Sequence, residues 1–333
     1  MNVLTFIKKI IPLFTLLIFI AQSCKDDDLT NQDENQPLQA EPYVSAYLLA
    51  HEYKPNTIRW NAITHLNMAF LYPKSDGTLS EGESLKNAIG RVTEEAHRNN
   101  VKVIISIRDR DSQFAEAVEK NKSILADNIL QYVKNNNLDG FDIDFEDWNR
   151  AGIAQHMLAF VKELYSKKEK DILQTCAVST EDRGYTAEWH QYFDLINVMT
   201  YDRHGPWTPT EGQHSPYNES IAAIDFWINK MEASPSKLLL GLPFYGYSWN
   251  EGDSPGTSYY YSQILDKYPD EDVANKDQID HLYYNGKATI VKKCRWALEN
   301  KIAGVMIWQI GQDATSDEDS LLEAIGTTMR GDK

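Results

Sequence analysis

Asp142, Asp144 and Glu146 stand two residues apart in the stretch DGFDIDFE, with Phe141, Ile143 and Phe145 alternating with them. In a β-strand successive side chains point to opposite faces, so the pattern predicts one apolar face and one face carrying three carboxyls. Neighbouring acids on that face lie roughly 7 Å apart, two residues at about 3.3 Å of rise each. Sheltered from water, carboxyls at that spacing cannot all ionise, and one of them holds a proton near neutral pH. A protonated acid beside an ionised one is suited to general acid catalysis. On a half-exposed strand the same residues would simply be solvated. Asp139 has the wrong parity to join the carboxylate face, which predicts a structural role for it.

The elements that must position this strand are legible as an alternation. Short apolar and β-branched runs predict strands over Tyr43 to Leu49, His65 to Leu71, Val101 to Ile107, Leu138 to Phe145, Ile172 to Thr180, Leu195 to Tyr201, Leu238 to Pro243 and Ala303 to Gln309. Apolar residues at helical spacing predict helices over Leu85 to Asn99, Ser123 to Asn135, Ile153 to Lys168, Tyr217 to Glu232 and Thr289 to Asn300. Strands alternating with helices pair in parallel through right-handed crossovers. Eight such units favour an α/β fold that closes as a single (β/α)8 TIM barrel over an open doubly wound sheet. No glycine-rich phosphate loop follows the first strand, which weighs against a nucleotide site.

Barrel enzymes place their chemistry at the C-terminal ends of the strands. Asp142, Asp144 and Glu146 fall there on the fourth strand. The other strand ends contribute Tyr47, Phe70, Met199, Tyr201, Asp202, Tyr245 and Trp308. Singly each is more often packing than site; together they describe an acidic pocket lined with aromatics. Trp148, Trp207 and Trp249 fall in loops just beyond, where they could meet a substrate or simply pack.

DGFDIDFE resembles the DGxDxDxE signature of family 18 glycoside hydrolases, the family of chitinases and endo-β-N-acetylglucosaminidases. The likeness covers most of residues 43 to 325. THLNMAFLYPKSDGTL is similar to the family's second-strand region, NVMTYDRHGPW to its sixth strand with the Met-x-Tyr-Asp motif, KLLLGLPFYGYSW to its seventh, and AGVMIWQIGQD to its eighth with the pocket-floor tryptophan. The resemblance implies a retaining mechanism in which the substrate's own N-acetyl group replaces an enzyme nucleophile. It implies Glu146 as the acid and then the base, with a proton kept near neutral pH by like-charge repulsion from its neighbours. Asp144 would orient the acetamido group and stabilise an oxazolinium-like intermediate, with Asp142 as its proton-sharing neighbour. Tyr201 would donate to the acetamido carbonyl, Met199 and Asp202 would line the same subsite, and Trp308 would lie under the distorted sugar. Neither a metal nor an organic cofactor is called for.

Two departures matter. Where the family often has Ser-x-Gly-Gly on its third strand, this chain has Ser106-Ile107-Arg108-Asp109, which predicts a stiffer, more polar loop from which Arg108 reaches the cleft. The segment from about Asn250 to Lys301 is too short for both a large insertion domain and the final helix, which predicts a shallow, open groove; the arginine that the family's insertion supplies has no counterpart here. The substrate class implied is an N-acetylglucosamine-containing polysaccharide or glycan: β-1,4-linked chitin-type chains, or the chitobiose core of N-glycans. A non-catalytic glycan-binding protein on the same barrel is the remaining reading, and the presence of Glu146 weighs against it.

At the N-terminus, Lys8 and Lys9 precede the apolar run Ile10 to Ala21, too short to span a bilayer, which ends near Cys24. Ala21 and Ser23 before Cys24, with Gln22 between them, resemble a lipoprotein signal cut ahead of a lipidated cysteine; an uncut anchor helix is the alternative. Lys25-Asp26-Asp27-Asp28 resembles an export signal to the outer membrane and cell surface of Gram-negative bacteria. The expected organisation is a signal peptide over 1–23, a disordered polar tether over 24–41 and a catalytic domain over 42–330, acting as a monomer held to the membrane by its lipid. Lys+Arg 33 against Asp+Glu 49 makes the net charge −16, which excludes nucleic acid as a partner. Cys176 and Cys294 are expected as separate buried thiols, and no zinc-type spacing is present.

Overall fold

The computed structural model describes residues 41–331 other than 182 and 187. The expected signal peptide, Cys24 and the tether up to residue 40 lie outside the described residues.

Eight strands build the central sheet: β1 (Tyr43–Leu49), β2 (His65–Pro73), β3 (Lys102–Arg108), β4 (Gly140–Asp144), β5 (Leu173–Val178), β6 (Leu195–Val198), β7 (Leu238–Pro243) and β8 (Gly304–Trp308). Each pairs in parallel with the next. β8 pairs in parallel with β1, Tyr43 opposite Gly304, so the sheet closes into a (β/α)8 TIM barrel and has no free parallel edge. A short strand, Leu79–Glu81, runs antiparallel along the end of β2.

The helices are α1 (Glu83–Arg98), α2 (Gln113–Asn135), α3 (Ile153–Lys167), α4 (Tyr217–Asn229), α5 (Tyr261–Lys267), α6 (Lys287–Glu299) and α7 (Leu321–Arg330). α2 begins earlier than predicted. Phe114, Ala115, Ala117 and Val118 are fully buried, but Glu116, Glu119 and Lys120 among them blur the helical period. A kink at Asn121 then divides the two halves. Among the described residues, β1 to β2 and β5 to β6 are joined through 3-10 turns rather than an α-helix: Ala50–Glu52 and Trp60–Ala62 in the first link, Trp189–Tyr192 in the second.

The segment between β7 and β8 folds as a small sheet. Tyr245–Ser248, Thr257–Tyr260, Gln278–Ile279 and Leu282–Tyr283 form four antiparallel strands, joined by α5. Two of these strands are only two residues long, too short for alternation to reveal them in the sequence. A compact structure therefore stands beside the mouth where the sequence suggested an unwalled groove.

Strand parity divides the core in two. Val44, Ala46 and Leu48 of β1 join the layer between sheet and helices, while Tyr47 joins Leu195, Leu239, Ala303 and Met306 in a second cluster inside the barrel. The interior also carries polar groups that satisfy one another, such as Asn67 Nδ2 donating to Ser45 Oγ at 2.7 Å. Gly140 opens β4 at a place where a side chain is excluded, since a Cβ would stand 2.6 Å from the Leu173 carbonyl oxygen.

Candidate active site

β4 delivers its acids to three different environments. Asp142 is fully buried inside the barrel, where its carboxylate accepts from four side chains on four other strands. Tyr47 Oη and Ser106 Oγ each donate to Oδ2 at 2.8 Å, and Thr175 Oγ1 at 2.7 Å and Asn197 Nδ2 at 3.2 Å donate to Oδ1. Burial raises the Asp142 carboxyl above its ordinary range, and the four donors pull it back.

Asp144 is 4% exposed, and its Oδ1 is buried with no hydrogen-bond partner among the described residues. Its Oδ2 lies 3.8 Å from Arg108 Nε. Burial first, then the charge of Glu146, push the Asp144 carboxyl well above the usual carboxylate range; Arg108 opposes them and Asp142 adds to them. Asp142 therefore acts on Asp144 through charge, while its own hydrogen bonds go to the barrel wall.

Glu146 stands past the end of β4, not on it as the alternation suggested. The parallel ladder to β5 ends at Ile143 opposite Cys176, and the chain then turns, with Trp148 N donating to Glu146 O at 3.0 Å and Trp148 Nε1 to Phe145 O at 2.7 Å. The turn lifts Glu146 out of the barrel into the open mouth, where Oε1 meets Arg108 Nη2 at 2.8 Å. The three acids thus run from buried and saturated, through buried and unsaturated, to exposed and ion-paired.

β6 also stops earlier than predicted, at Val198, and Met199, Tyr201 and Asp202 follow it. Thr200 N donates to Val198 O, which breaks the strand, and Asp202 takes a left-handed backbone with φ of 66°. Tyr201 is half-buried; its Oη lies 3.7 Å from Met306 Sδ, and desolvation together with the nearby Asp202 holds its hydroxyl well above the usual phenol range. Asp202 Oδ1 accepts a hydrogen bond from Tyr245 Oη and another from Tyr247 Oη at 3.1 Å. Both tyrosines belong to the first strand of the small sheet, which thereby braces the end of β6.

Trp308, half-buried at the end of β8, lies between Tyr47 and Phe70, with ring centroids 5.5 and 5.7 Å away and the Phe70 ring stacked at 21°. Tyr47 itself is 2% exposed with its hydroxyl committed to Asp142, so it stands beneath the site rather than on its surface. Glu146, Met199, Tyr201, Asp202, Arg203 and Trp207 share the lining of one cavity of about 290 Å³. Trp207 is 58% exposed there, whereas Trp148 packs against Phe145, Tyr185 and Trp189, and Trp249 packs against Tyr247 and Tyr283.

Sequence reasoning singled out neither Tyr247 nor His214. The buried His214 faces Tyr245 O at 3.0 Å through Nε2, and its Nδ1 lies 3.8 Å from Asp202 Oδ1; burial holds it below the usual imidazole range. Only the fold shows that a histidine twelve positions along the chain returns behind Asp202. Asp139 keeps to the far side of the strand, accepting from Val103 N at 2.7 Å and pairing with His97 Nε2 at 2.8 Å, the structural role its parity predicted. Cys176 and Cys294 are separate buried thiols. Among the described residues no group of three His, Cys, Asp or Glu side chains could hold a metal ion.

Residues 43–313 match the family described as glycosyl hydrolases family 18. A chitinase of known structure from Bacteroides thetaiotaomicron is 39% identical with a TM-score of 0.81, over 86% of this chain and 96% of that one. The GH18 chitinase ChiB from the chitin utilization locus of Flavobacterium johnsoniae is 33% identical with a TM-score of 0.76, over 87% of this chain and 94% of that one. Among curated proteins, an uncharacterized glycosylase of Bacillus subtilis, YvbX, is 27% identical, over 63% of this chain and 69% of its own length.

Proposed function

The chain belongs to glycosyl hydrolase family 18 and is a chitinase-like glycoside hydrolase, and from that premise we propose that it cleaves β-1,4-linked N-acetylglucosamine chains with retention, using the substrate's acetamido group as the nucleophile. The observation that carries this reading is Asp144, a buried carboxyl at the barrel mouth whose Oδ1 has no partner among the described residues. An acetamido N–H is a donor of the kind that oxygen lacks, and a buried acceptor left without one costs about 1–3 kcal/mol.

In this mechanism Glu146 gives its proton to the glycosidic oxygen as the C1–O bond breaks, and the acetamido oxygen bonds to C1 from the opposite face. Asp144 accepts a hydrogen bond from the N–H of the resulting oxazolinium ion. Tyr201 Oη donates to the acetamido oxygen before attack, and Trp308 supports the sugar ring from below. Glu146, now ionised, removes a proton from water as that water opens the oxazolinium at C1, and the second inversion restores the β configuration. No enzyme carboxylate forms a bond to carbon.

Glu146→Gln is expected to lower turnover of chitin oligomers by about 10²- to 10⁴-fold while oligosaccharide binding stays measurable. Wild-type turnover in that variant would refute the assignment, and an α-anomer as the first product seen by NMR would demand an inverting mechanism. The chitinase relatives at 39% and 33% identity support chitin-type chains as the substrate; release of glycans from a glycoprotein in place of chitin-oligomer cleavage would shift the assignment to the N-glycan core. We further propose that Cys24 carries a lipid holding the enzyme at the outer membrane and cell surface. Radiolabelled palmitate would remain on the wild-type chain and be absent from a Cys24→Ala variant.

A further inference from the structure

Arg108 ends β3, and its side chain crosses to the acids at and just beyond the end of β4. Nη2 lies 2.8 Å from Glu146 Oε1 and Nε lies 3.8 Å from Asp144 Oδ2, with the guanidinium carbon 5.2 Å from the centroid of the Phe70 ring. One planar fork thus touches both acids and rests on an aromatic face, an arrangement that a compact ammonium cannot reproduce.

The other charged groups around the barrel mouth are engaged elsewhere. Arg183 pairs with Glu181 at 3.1 Å, and Arg203 with Glu219 at 2.6 Å. Arg110 lies over the Tyr72 ring at 3.7 Å. Asp202 accepts from Tyr245 and Tyr247, Asp147 from Ser112, and Asp142 from the barrel wall. Tyr201, on the remaining side, is half-buried, with its hydroxyl held well above the usual phenol range. Arg108 is the cation that the structure places on Asp144 and Glu146 together.

We propose that Arg108 is a positioning residue of the hydrolytic reaction, holding Glu146 by Oε1 so that Oε2 is the oxygen that carries and delivers the proton, and setting the upper pH limit of activity. This rests on the assignment of Glu146 as the acid. A guanidinium has donors only, so the oxygen it binds cannot present a proton to it, and the acidic hydrogen belongs on the other oxygen. Holding one oxygen also removes a rotation that would otherwise turn the proton away from the glycosidic bond. The same contact has a cost: the Arg108 charge opposes the rise of the Asp144 carboxyl, and activity that needs a proton on the acid pair is lost at a lower pH than it would be without the arginine.

The test compares wild type, Arg108→Gln, Arg108→Lys and Glu146→Gln on a chitin hexamer across pH, and on a nitrophenyl chitobioside whose leaving group needs little protonation. For Arg108→Gln the expected results on the hexamer are a kcat lower by about 10- to 100-fold with KM within about twofold, and an alkaline limb of kcat/KM moved up by about one pH unit. The kcat loss is smaller on the nitrophenyl substrate. Arg108→Lys keeps the charge and is expected to keep the limb within about 0.3 pH units of wild type while recovering only part of kcat. A limb that stays in place in Arg108→Gln, or equal losses on both substrates, would overturn the proposal. Wild-type turnover of the hexamer in Glu146→Gln would instead remove the assignment beneath it. Arg108 is 39% exposed, and matching melting temperatures would exclude unfolding as the cause of any loss.

Discussion

Tyr47 Oη donates to Asp142 Oδ2 at 2.8 Å, a bond that crosses the barrel interior from its first strand to its fourth. Ser106, Thr175 and Asn197 complete the ring from β3, β5 and β6, so one carboxylate gathers donors from four strands. Asp142 is therefore as much a structural keystone as a neighbour of the chemistry.

Asp142→Ala leaves those buried donors without their acceptor and is expected to lower the unfolding free energy by roughly 3–5 kcal/mol. Asp142→Asn, which keeps the volume and one acceptor oxygen, is expected to cost less. Urea denaturation of both variants checks this; a loss under about 1 kcal/mol in Asp142→Ala would mean that water replaces the carboxylate without penalty.

Tyr201→Phe separates function from stability. The hydroxyl's partner within the protein is the weak acceptor Met306 Sδ at 3.7 Å, so its removal is expected to change stability by less than about 1 kcal/mol. If the hydroxyl donates to the acetamido oxygen, kcat/KM falls by about a hundredfold. Wild-type kcat/KM together with an unchanged melting temperature would take Tyr201 out of the mechanism.

His65, buried at the start of β2, links the fold to pH. Burial first, and Lys102 next, hold its imidazole down at about 4, below the unfolded value of 6.5, and its Nε2 has no partner among the described residues to receive a second proton's hydrogen bond. A depressed folded value means stability that is fully present above 6.5 and is lost as pH falls from there through about 4. The expected contribution is about 3 kcal/mol at most, and His65→Gln is expected to flatten the slope of unfolding free energy between pH 6.5 and 4. An identical slope in the variant would assign the acid sensitivity to other groups.

The eight barrel strands were legible because a parallel sheet covered on both faces draws β-branched and apolar runs, and those runs survive in one dimension. The order Asp142, Asp144, Glu146 was legible for the same reason, as was the exclusion of Asp139 by parity. The first half of α2 was obscured by its charged residues, which blur the helical period, and the small sheet beside the mouth by two strands of two residues, too short for a period to be counted.

By its own pattern the chain determined which residues end up at the mouth of the barrel. Residue type and spacing settle that, since strand parity and strand order are properties of the sequence. Only the closed structure decided how the acids differ. Asp142 is saturated by donors that lie 33 to 95 positions away, Asp144 is left with an unpartnered oxygen, and Glu146 is carried past the strand end to Arg108. The physical reason is that proton affinity depends on burial, charge and hydrogen-bond partners within a few ångströms, and closing the barrel is what brings those partners from distant strands into contact.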